Sequence, residues 1–215
     1  MPDSRTALWA MAQAERAALA DDLADLTDEQ WHRPSLCGSW TIEEVLAHLT
    51  AAASTGRVRW ATSVLAARFD FDEHNDRRKA DQLGRTPAET LARFTAIIPS
   101  TTAASGHTAA WLGEVVVHAQ DIRRPLGLNS APTVEAATAV AEFFAGRDFT
   151  VPSRTRTAGL CLAASDGPFT HGTGPLVSGT TIALTMAMAG RLDYCDDLSG
   201  PGVARLRDRI TADAN

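Results

Sequence analysis

The sequence predicts a mostly helical protein that ends in a small α+β module. Through roughly the first two thirds of the chain, apolar residues recur at steps of three and four, which is typical of amphipathic helices. After Gly146 the pattern changes to short, partly alternating runs separated by glycine, proline and aspartate, which favour strands and tight turns. We therefore expect a helical bundle in residues 1–148 and a small α+β domain in residues 149–215.

The helix start signals identify the first elements in order. Residues 4–25 carry an apolar stripe and predict the first helix. Thr27 begins a capping box that opens a short turn, and residues 34–40 contain a proline and a glycine and predict a loop. Thr41 begins a second capping box, and its helix is expected to run to about Phe69.

The middle of the chain predicts one polar segment and one further helix. Residues 70–84 are rich in charge and predict either a solvated connection or a frayed helix end. Thr86 and Pro87 then supply an N-cap and a favoured first helical residue, and this helix should reach about Ala103.

The remaining elements are bounded by prolines and glycines. The next helix should end near Arg123, because Pro125 cannot continue it and Gly127 follows. The elements expected after it are a helix over 133–145, a strand over 155–164, further strands and turns over 166–175, and helices over 180–189 and 202–212.

Composition and charge narrow the classes of partner. The chain has 215 residues, 45% of them hydrophobic and 21% charged, as in an ordinary globular protein. Its formal net charge of -6 argues against nucleic acid and anionic membranes as partners, because both select clustered positive charge. Small molecules or proteins are the expected partners.

Two further features concern the compartment. The chain begins without a basic segment followed by an apolar run, and no apolar stretch approaches the roughly 20 residues that span a bilayer. We therefore expect a cytoplasmic protein. Cys37, Cys161 and Cys195 are an odd number at wide spacings, which predicts reduced thiols rather than a disulfide framework.

A candidate metal site spans two of the predicted helices. Glu114 and His118 are four residues apart, so a helix presents them on nearly the same face. His48 lies in another predicted helix and would supply a third ligand. Two imidazoles and one carboxylate leave coordination positions open for water or substrate, as catalytic rather than structural sites require.

The apolar setting of these residues supports a ligand role. A glutamate and a histidine at this spacing often form an ordinary surface ion pair. Here, however, the pair is interleaved with Val115, Val116 and Val117, and polar groups on buried faces must be paired or bound to something.

Asp121 lies three residues beyond His118 and has two interpretations. It would either orient the ligand imidazole through the other ring nitrogen or form a helix-end ion pair with Arg123 or Arg124. Other motifs add little, because the sequence has no nucleophile elbow, phosphate loop or dinucleotide fingerprint. The remaining histidines are interpreted as surface or capping residues: His32, His74, His107 and His171.

Four segments together carry a family resemblance: Leu26–Trp31, Pro34–Thr41, Val45–Leu49 and, above all, Gly113–Gly127. They resemble the mycothiol-dependent maleylpyruvate isomerase family within the DinB-like superfamily. The similarity extends to C-terminal segments of the chain, which are Ala158–Leu160, Asp166–Pro175, Met186–Arg191 and Asp197–Gly202.

The resemblance implies a fold and a site. The implied fold is an up-down-down-up four-helix bundle followed by a small sterol-carrier-like α/β domain. The implied metal ligands fall on His48, Glu114 and His118, with zinc as the most suitable divalent ion, and the functional arginine of the C-terminal domain falls on Arg191. The implied thiol cofactor or cosubstrate is mycothiol, the low-molecular-weight thiol of actinobacteria.

The implied chemistry is addition of a thiolate to a small electrophile. It would give either cis-trans isomerisation or S-transfer, and Arg191, or Arg123 and Arg124, would hold a carboxylate. Two alternatives remain open: a metal-dependent hydrolase at the same three ligands, and a non-catalytic helical protein that binds a metal or small ligand. This chain is short for the family, so the substrate is not carried over from it.

Overall fold

The computed structural model describes residues 4–54, 56, 71–103, 105–149 and 151–213, and the side chains of all of these except residues 71–76. The chain divides into two compact units, Met1–Ser130 and Ala131–Asn215. It is mostly helical with a small three-stranded sheet, which confirms the predicted fold class at that level.

The described part of the first unit consists of helices. In chain order they are α1 (Ser4–Asp22), α2 (Asp28–Trp31), α3 (Ile42–Ser54), α4 (Phe71–Gln82), α5 (Pro87–Ala96) and α6 (Thr108–Leu126). Helix α1 packs against α6, while α3 packs against α4, α5 and α6. Burial of each large apolar side chain in this unit stabilises it by roughly 1.5–3 kcal/mol. The fully buried ones include Leu19, Leu46, Phe94, Leu112 and Ile122.

The predicted caps begin these helices. The backbone N–H of Gln30 donates to Thr27 Oγ1 at 3.3 Å, and the N–H of Thr27 donates to Gln30 Oε1 at 2.8 Å. Thr41 and Glu44 make the same reciprocal pair of bonds at the start of α3. Thr86 caps α5 with its side chain. Each reciprocal pair satisfies two backbone donors that a helix start leaves without partners.

Two helix ends differ from the sequence prediction. Helix α5 stops at Ala96 rather than about Ala103, because Pro99 disfavours helical backbone at the residue before it. Helix α6 continues past Arg123 to Leu126 and contains Pro125 in its last turn, ending at Gly127 in the left-handed conformation with φ 68°.

The polar segment predicted over 70–84 forms helix α4 rather than a solvated connection. The ion pair between Lys79 and Glu44 of α3, at 3.0 Å, offsets the weak apolar character of this helix. Helix α3 itself ends at Ser54. Apart from Gly56, its predicted continuation to Phe69 lies outside the described residues.

The second unit contains the sheet. Its elements are helices α7 (Val134–Gly146) and α8 (Ser153–Thr157), strands β1 (Cys161–Ala164), β2 (Thr170–His171) and β3 (Leu176–Gly179), helix α9 (Thr181–Met188), a 3₁₀ helix (Leu192–Asp197) and helix α10 (Val203–Asp213). The strand order is β2-β1-β3, with β1 antiparallel to β2 and parallel to β3.

The strand predicted over 155–164 begins only at Cys161, because Ser153–Thr157 is helical. Ser153 Oγ holds this short helix by donating to the Phe144 carbonyl at 2.7 Å. The contacts also divide the chain at 130/131 rather than at the predicted 148/149, since α7 packs against α9. In the described part of the chain, no helix combines the length and apolar character that a membrane span requires.

Candidate metal centre

Helices α3 and α6 bring together the three predicted metal ligands. His48 Nε2 lies 2.7 Å from Glu114 Oε1, and His118 Nε2 lies 3.7 Å from the same oxygen. One ligand atom from each residue falls within 4.8 Å of the others. Two ring nitrogens and a carboxylate oxygen therefore converge on one small volume, as a single divalent ion requires.

The site is partly shielded from solvent. The side chains of His48, Glu114 and His118 are 13%, 24% and 13% exposed. The two imidazole rings meet edge to face with their centroids 5.0 Å apart. Leu46 of α3 and Val116 of α6 are buried. Burial of such residues fixes the position of both helices, and so fixes the direction of the three predicted ligand side chains.

Asp121 sets the orientation of His118. Its carboxylate oxygen Oδ2 lies 2.9 Å from His118 Nδ1, and the residue is fully buried. This contact with His118 supports the first of the two interpretations of Asp121. Arg123 pairs with Glu15 and, at 2.7 Å, with Asp22. A hydrogen bond at Nδ1 leaves Nε2 directed towards Glu114, where it could act as the predicted ligand atom.

The same neighbours control the protonation of His118. Burial lowers the pKa of this imidazole, but hydrogen bonds with Asp121 and Cys37, together with the charges of Glu114 and Asp121, raise the pKa to about 10. In the metal-free protein at neutral pH, His118 therefore carries a proton that a bound cation would have to displace.

Cys37 is the residue at this site that sequence reasoning missed. Its thiol lies with His118 and Asp121 in a second group of possible metal donors whose atoms are within 4.8 Å of one another. The backbone N–H of Leu36 donates to the carbonyl of Asp121 at 3.1 Å and so anchors the loop on α6. That carbonyl is available because Pro125, four residues on, has no N–H to donate.

An aromatic side chain packs on His48, and a cationic side chain lies over that aromatic ring. The Trp40 ring packs on the His48 ring with centroids 5.0 Å apart, and Lys79 Nζ lies 4.6 Å from the centroid of the Trp40 ring. Lys79 also pairs with Glu44 at 3.0 Å. Burial alone would raise the pKa of the Glu44 carboxyl. The hydrogen bond from the Thr41 backbone N–H, together with the hydrogen bond and charge of Lys79, outweighs burial and lowers this pKa.

The arginine and the four further histidines considered in the sequence are not among these ligands. Arg191 belongs to the second unit, where its Nη1 donates to the Ala189 carbonyl at 3.1 Å, and its role stays a prediction. The histidines at 32, 107 and 171 are exposed, as the sequence predicts, and the side chain of His74 lies outside the described part of the structure.

Comparisons with known proteins identify the family and the fold. The family model of the mycothiol maleylpyruvate isomerase N-terminal domain matches residues 12–123. Crystal structures of a mycothiol-dependent maleylpyruvate isomerase and of its histidine-to-alanine mutant are similar in fold, with TM-scores of 0.57 and 0.58 at 16% and 15% identity. Both alignments cover 93% of each chain. No curated protein sequence matches this chain.

The matched segment contains both α3 and α6, and with them His48, Glu114 and His118. Because the family model covers more than half of the sequence, the chain belongs to the mycothiol maleylpyruvate isomerase N-terminal domain family.

Proposed function

We propose that His48, Glu114 and His118 hold one divalent cation, for which zinc is the most suitable ion. Two imidazoles and one carboxylate are donors that zinc accepts in catalytic sites, where three protein ligands leave a position open. The convergence of these three side chains, with 2.7 Å and 3.7 Å separations from one carboxylate oxygen, is the observation that carries the proposal. A cation held there supplies the charge that keeps a bound thiol as thiolate at neutral pH.

The thiol that we propose is mycothiol, on the support of the family to which the chain belongs. A thiolate sulfur adds to an electrophilic carbon of a small unsaturated substrate, and the π electrons move to the conjugated carbonyl. Rotation about the new single bond and expulsion of the sulfur restore the double bond in the trans form. If the sulfur stays and a proton is added instead, the product is an S-conjugate.

The residues around the ligands maintain this geometry. Asp121 holds His118 with Nε2 towards Glu114, and Trp40 restricts the His48 ring from one side. Fixed ligands avoid reorganisation during the reaction, and the partly buried setting strengthens the electrostatic interactions at the site.

Activity measurements test this proposal. Zinc-loaded protein should isomerise maleylpyruvate or conjugate one member of a panel of electrophiles only when mycothiol is present, and Glu114→Gln should lose that turnover. The exposed residue Glu29 provides a control, because Glu29→Gln should retain it. Turnover without mycothiol would contradict the proposal and favour a metal-dependent hydrolase. Bound metal with no turnover on any substrate would favour a non-catalytic metal-binding protein.

Arg191 is proposed to bind a carboxylate of the substrate or of the thiol, because a guanidinium holds a planar carboxylate at two points. Arg191→Ala should raise KM for a carboxylate substrate by on the order of tenfold, with metal content unchanged. Arg205→Ala is the matched control, since Arg205 is exposed in the same unit. An unchanged KM in Arg191→Ala would contradict this role.

We also propose a fold type for each of the two units and a cellular location for the protein. We infer that the first unit is a four-helix bundle of the DinB-like type and that the second resembles a sterol-carrier domain. The protein is expected in the cytoplasm, where thiols are kept reduced. A crystal structure of the full chain would test the two architectural assignments.

A further inference from the structure

A second group of metal donors shares one imidazole with the proposed metal centre. It consists of the Cys37 thiol, His118 and the Asp121 carboxylate, all within 4.8 Å of one another. Its donors are sulfur, nitrogen and oxygen, whereas the first group has two nitrogens and an oxygen. The two groups therefore differ in the softness of the ion that they suit.

The loop that carries Cys37 is built to hold the thiol in this place. Ser35 Oγ accepts the N–H of Cys37 at 3.0 Å and donates to the Trp40 carbonyl at 2.7 Å. The left-handed turn at Gly38, with φ 59°, lets the loop close. Because Leu36 bonds to the carbonyl of Asp121, the sulfur donor is tied to the residue that supplies the oxygen donor.

The burial of the oxygen donor points to a cationic partner. Asp121 is fully buried, and its carboxylate lies 2.9 Å from His118 Nδ1. A buried carboxylate needs a compensating positive charge, which the protonated His118 ring supplies in the metal-free protein and a bound cation would supply in its place. Cys37 is partly exposed, so an ion can reach the group from solvent.

We propose that Cys37, His118 and Asp121 form a second metal site, which binds thiophilic divalent cations such as cobalt, zinc and cadmium. Thiolate donors select these ions over magnesium or manganese. The site competes with the first group, because an ion on Nδ1 of His118 removes the hydrogen bond that directs Nε2 towards Glu114. Binding of an ion at the second site needs no mycothiol, but it disturbs the first group and so makes the protein sensitive to soft metals.

Cobalt titration of the 215-residue chain tests this proposal. Cobalt bound to a thiolate gives a sulfur-to-cobalt charge-transfer band in the near ultraviolet, which nitrogen and oxygen ligands alone do not give. We expect the band in the wild type and a stronger band in Glu114→Gln, where the first group no longer competes for His118. Cys37→Ser and His118→Ala should lose it. Cys161→Ser is the control, since this other partly exposed cysteine lies in the second unit.

Three results would overturn the proposal. The first is absence of the band in both the wild type and folded Glu114→Gln. The second is persistence of the band in Cys37→Ser. The third is a band that the wild type shows and Glu114→Gln loses, which would place Cys37 and Glu114 on the same ion. Circular dichroism establishes that each variant is folded, and Cys37→Ala replaces Cys37→Ser if the serine variant is not. Loss of mycothiol-dependent turnover in Glu114→Gln with the band intact would separate the two sites.

Discussion

The Nδ1 atom of His118 lies 2.9 Å from the Oδ2 atom of Asp121, whose side chain has no exposure to solvent. Both residues lie in α6, so the helix itself sets their separation. A fully buried carboxylate at this distance holds the imidazole ring in one orientation and makes it a stronger donor. The proposed metal centre therefore depends on Asp121, which is not one of its three proposed ligands.

Replacing Asp121 should weaken metal binding without removing a proposed ligand. Asp121→Asn keeps the size of the side chain but loses its charge, and we expect zinc affinity to fall by about 10- to 100-fold. Competition with a chromophoric chelator measures the affinity. Asp25→Asn serves as the control, because Asp25 is exposed in the same unit. Equal affinities in the two variants would show that Asp121 does not support the site.

The contribution of His118 to the stability of the metal-free protein should fall with rising pH. The pKa of His118 is raised from 6.5 to about 10, so protonated His118 stabilises the folded state fully below pH 6.5. That contribution is lost as pH rises towards 10, by up to about 1.4 kcal/mol for each pH unit. The contribution of His118 is measured as the difference in unfolding free energy between the wild type and His118→Asn.

Urea unfolding of both proteins in the presence of a chelator, at several pH values between 6 and 10, measures this difference. We expect it to decline steadily over that window. A difference that stays constant with pH would mean that His118 is not protonated in the folded metal-free protein.

The sequence predicts the helices of the site well and its loop poorly. Glu114 and His118 share a face because helical spacing requires it, and the valines between them indicate burial. The contact of Cys37 with His118 depends on a hydrogen bond between Leu36 and Asp121, which are distant in sequence. Helical periodicity carries no information about such a bond.

Pro125 shows why one local rule was insufficient. The rule that proline ends a helix predicts an end near Arg123, yet α6 continues to Leu126. The bond that Pro125 cannot make is replaced by the N–H of Leu36, so the cost of the proline is offset by a tertiary contact. Because Pro125 has no N–H, the carbonyl of Asp121 lacks its helical partner. The sequence therefore indicates that another part of the chain, here a loop, contacts α6 at this carbonyl.

Arg123 should be a structural residue rather than a substrate ligand. Its side chain is 1% exposed and pairs with Glu15 and Asp22 of α1. Arg123→Ala leaves Glu15 buried without its partner and should lower the unfolding free energy by about 3–5 kcal/mol. The exposed pair of Arg85 and Glu89 gives the control, for which Arg85→Ala should cost at most about 1 kcal/mol. Similar losses in both variants would contradict this assignment.

Lys79 should couple energetically to Glu44. Their charged atoms are 3.0 Å apart, and the Lys79 side chain is 9% exposed while that of Glu44 is 29% exposed. Lys79→Met should lower the unfolding free energy by about 2 kcal/mol, because a partly buried charged hydrogen bond is lost. A double-mutant cycle with Glu44→Gln isolates the pair from other contacts. A coupling energy near zero would assign the effect of Lys79 to its packing on Trp40.

X-ray absorption spectroscopy of zinc-loaded Cys37→Ser protein tests the central claim most directly, because any sulfur bound to zinc must then come from the added thiol. We predict only nitrogen and oxygen ligands before mycothiol is added and one zinc–sulfur bond of about 2.3 Å afterwards. The same protein carrying His48→Ala should show no such bond. A zinc environment that mycothiol leaves unchanged, or a zinc–sulfur bond that survives the loss of His48, would contradict thiol activation at His48, Glu114 and His118.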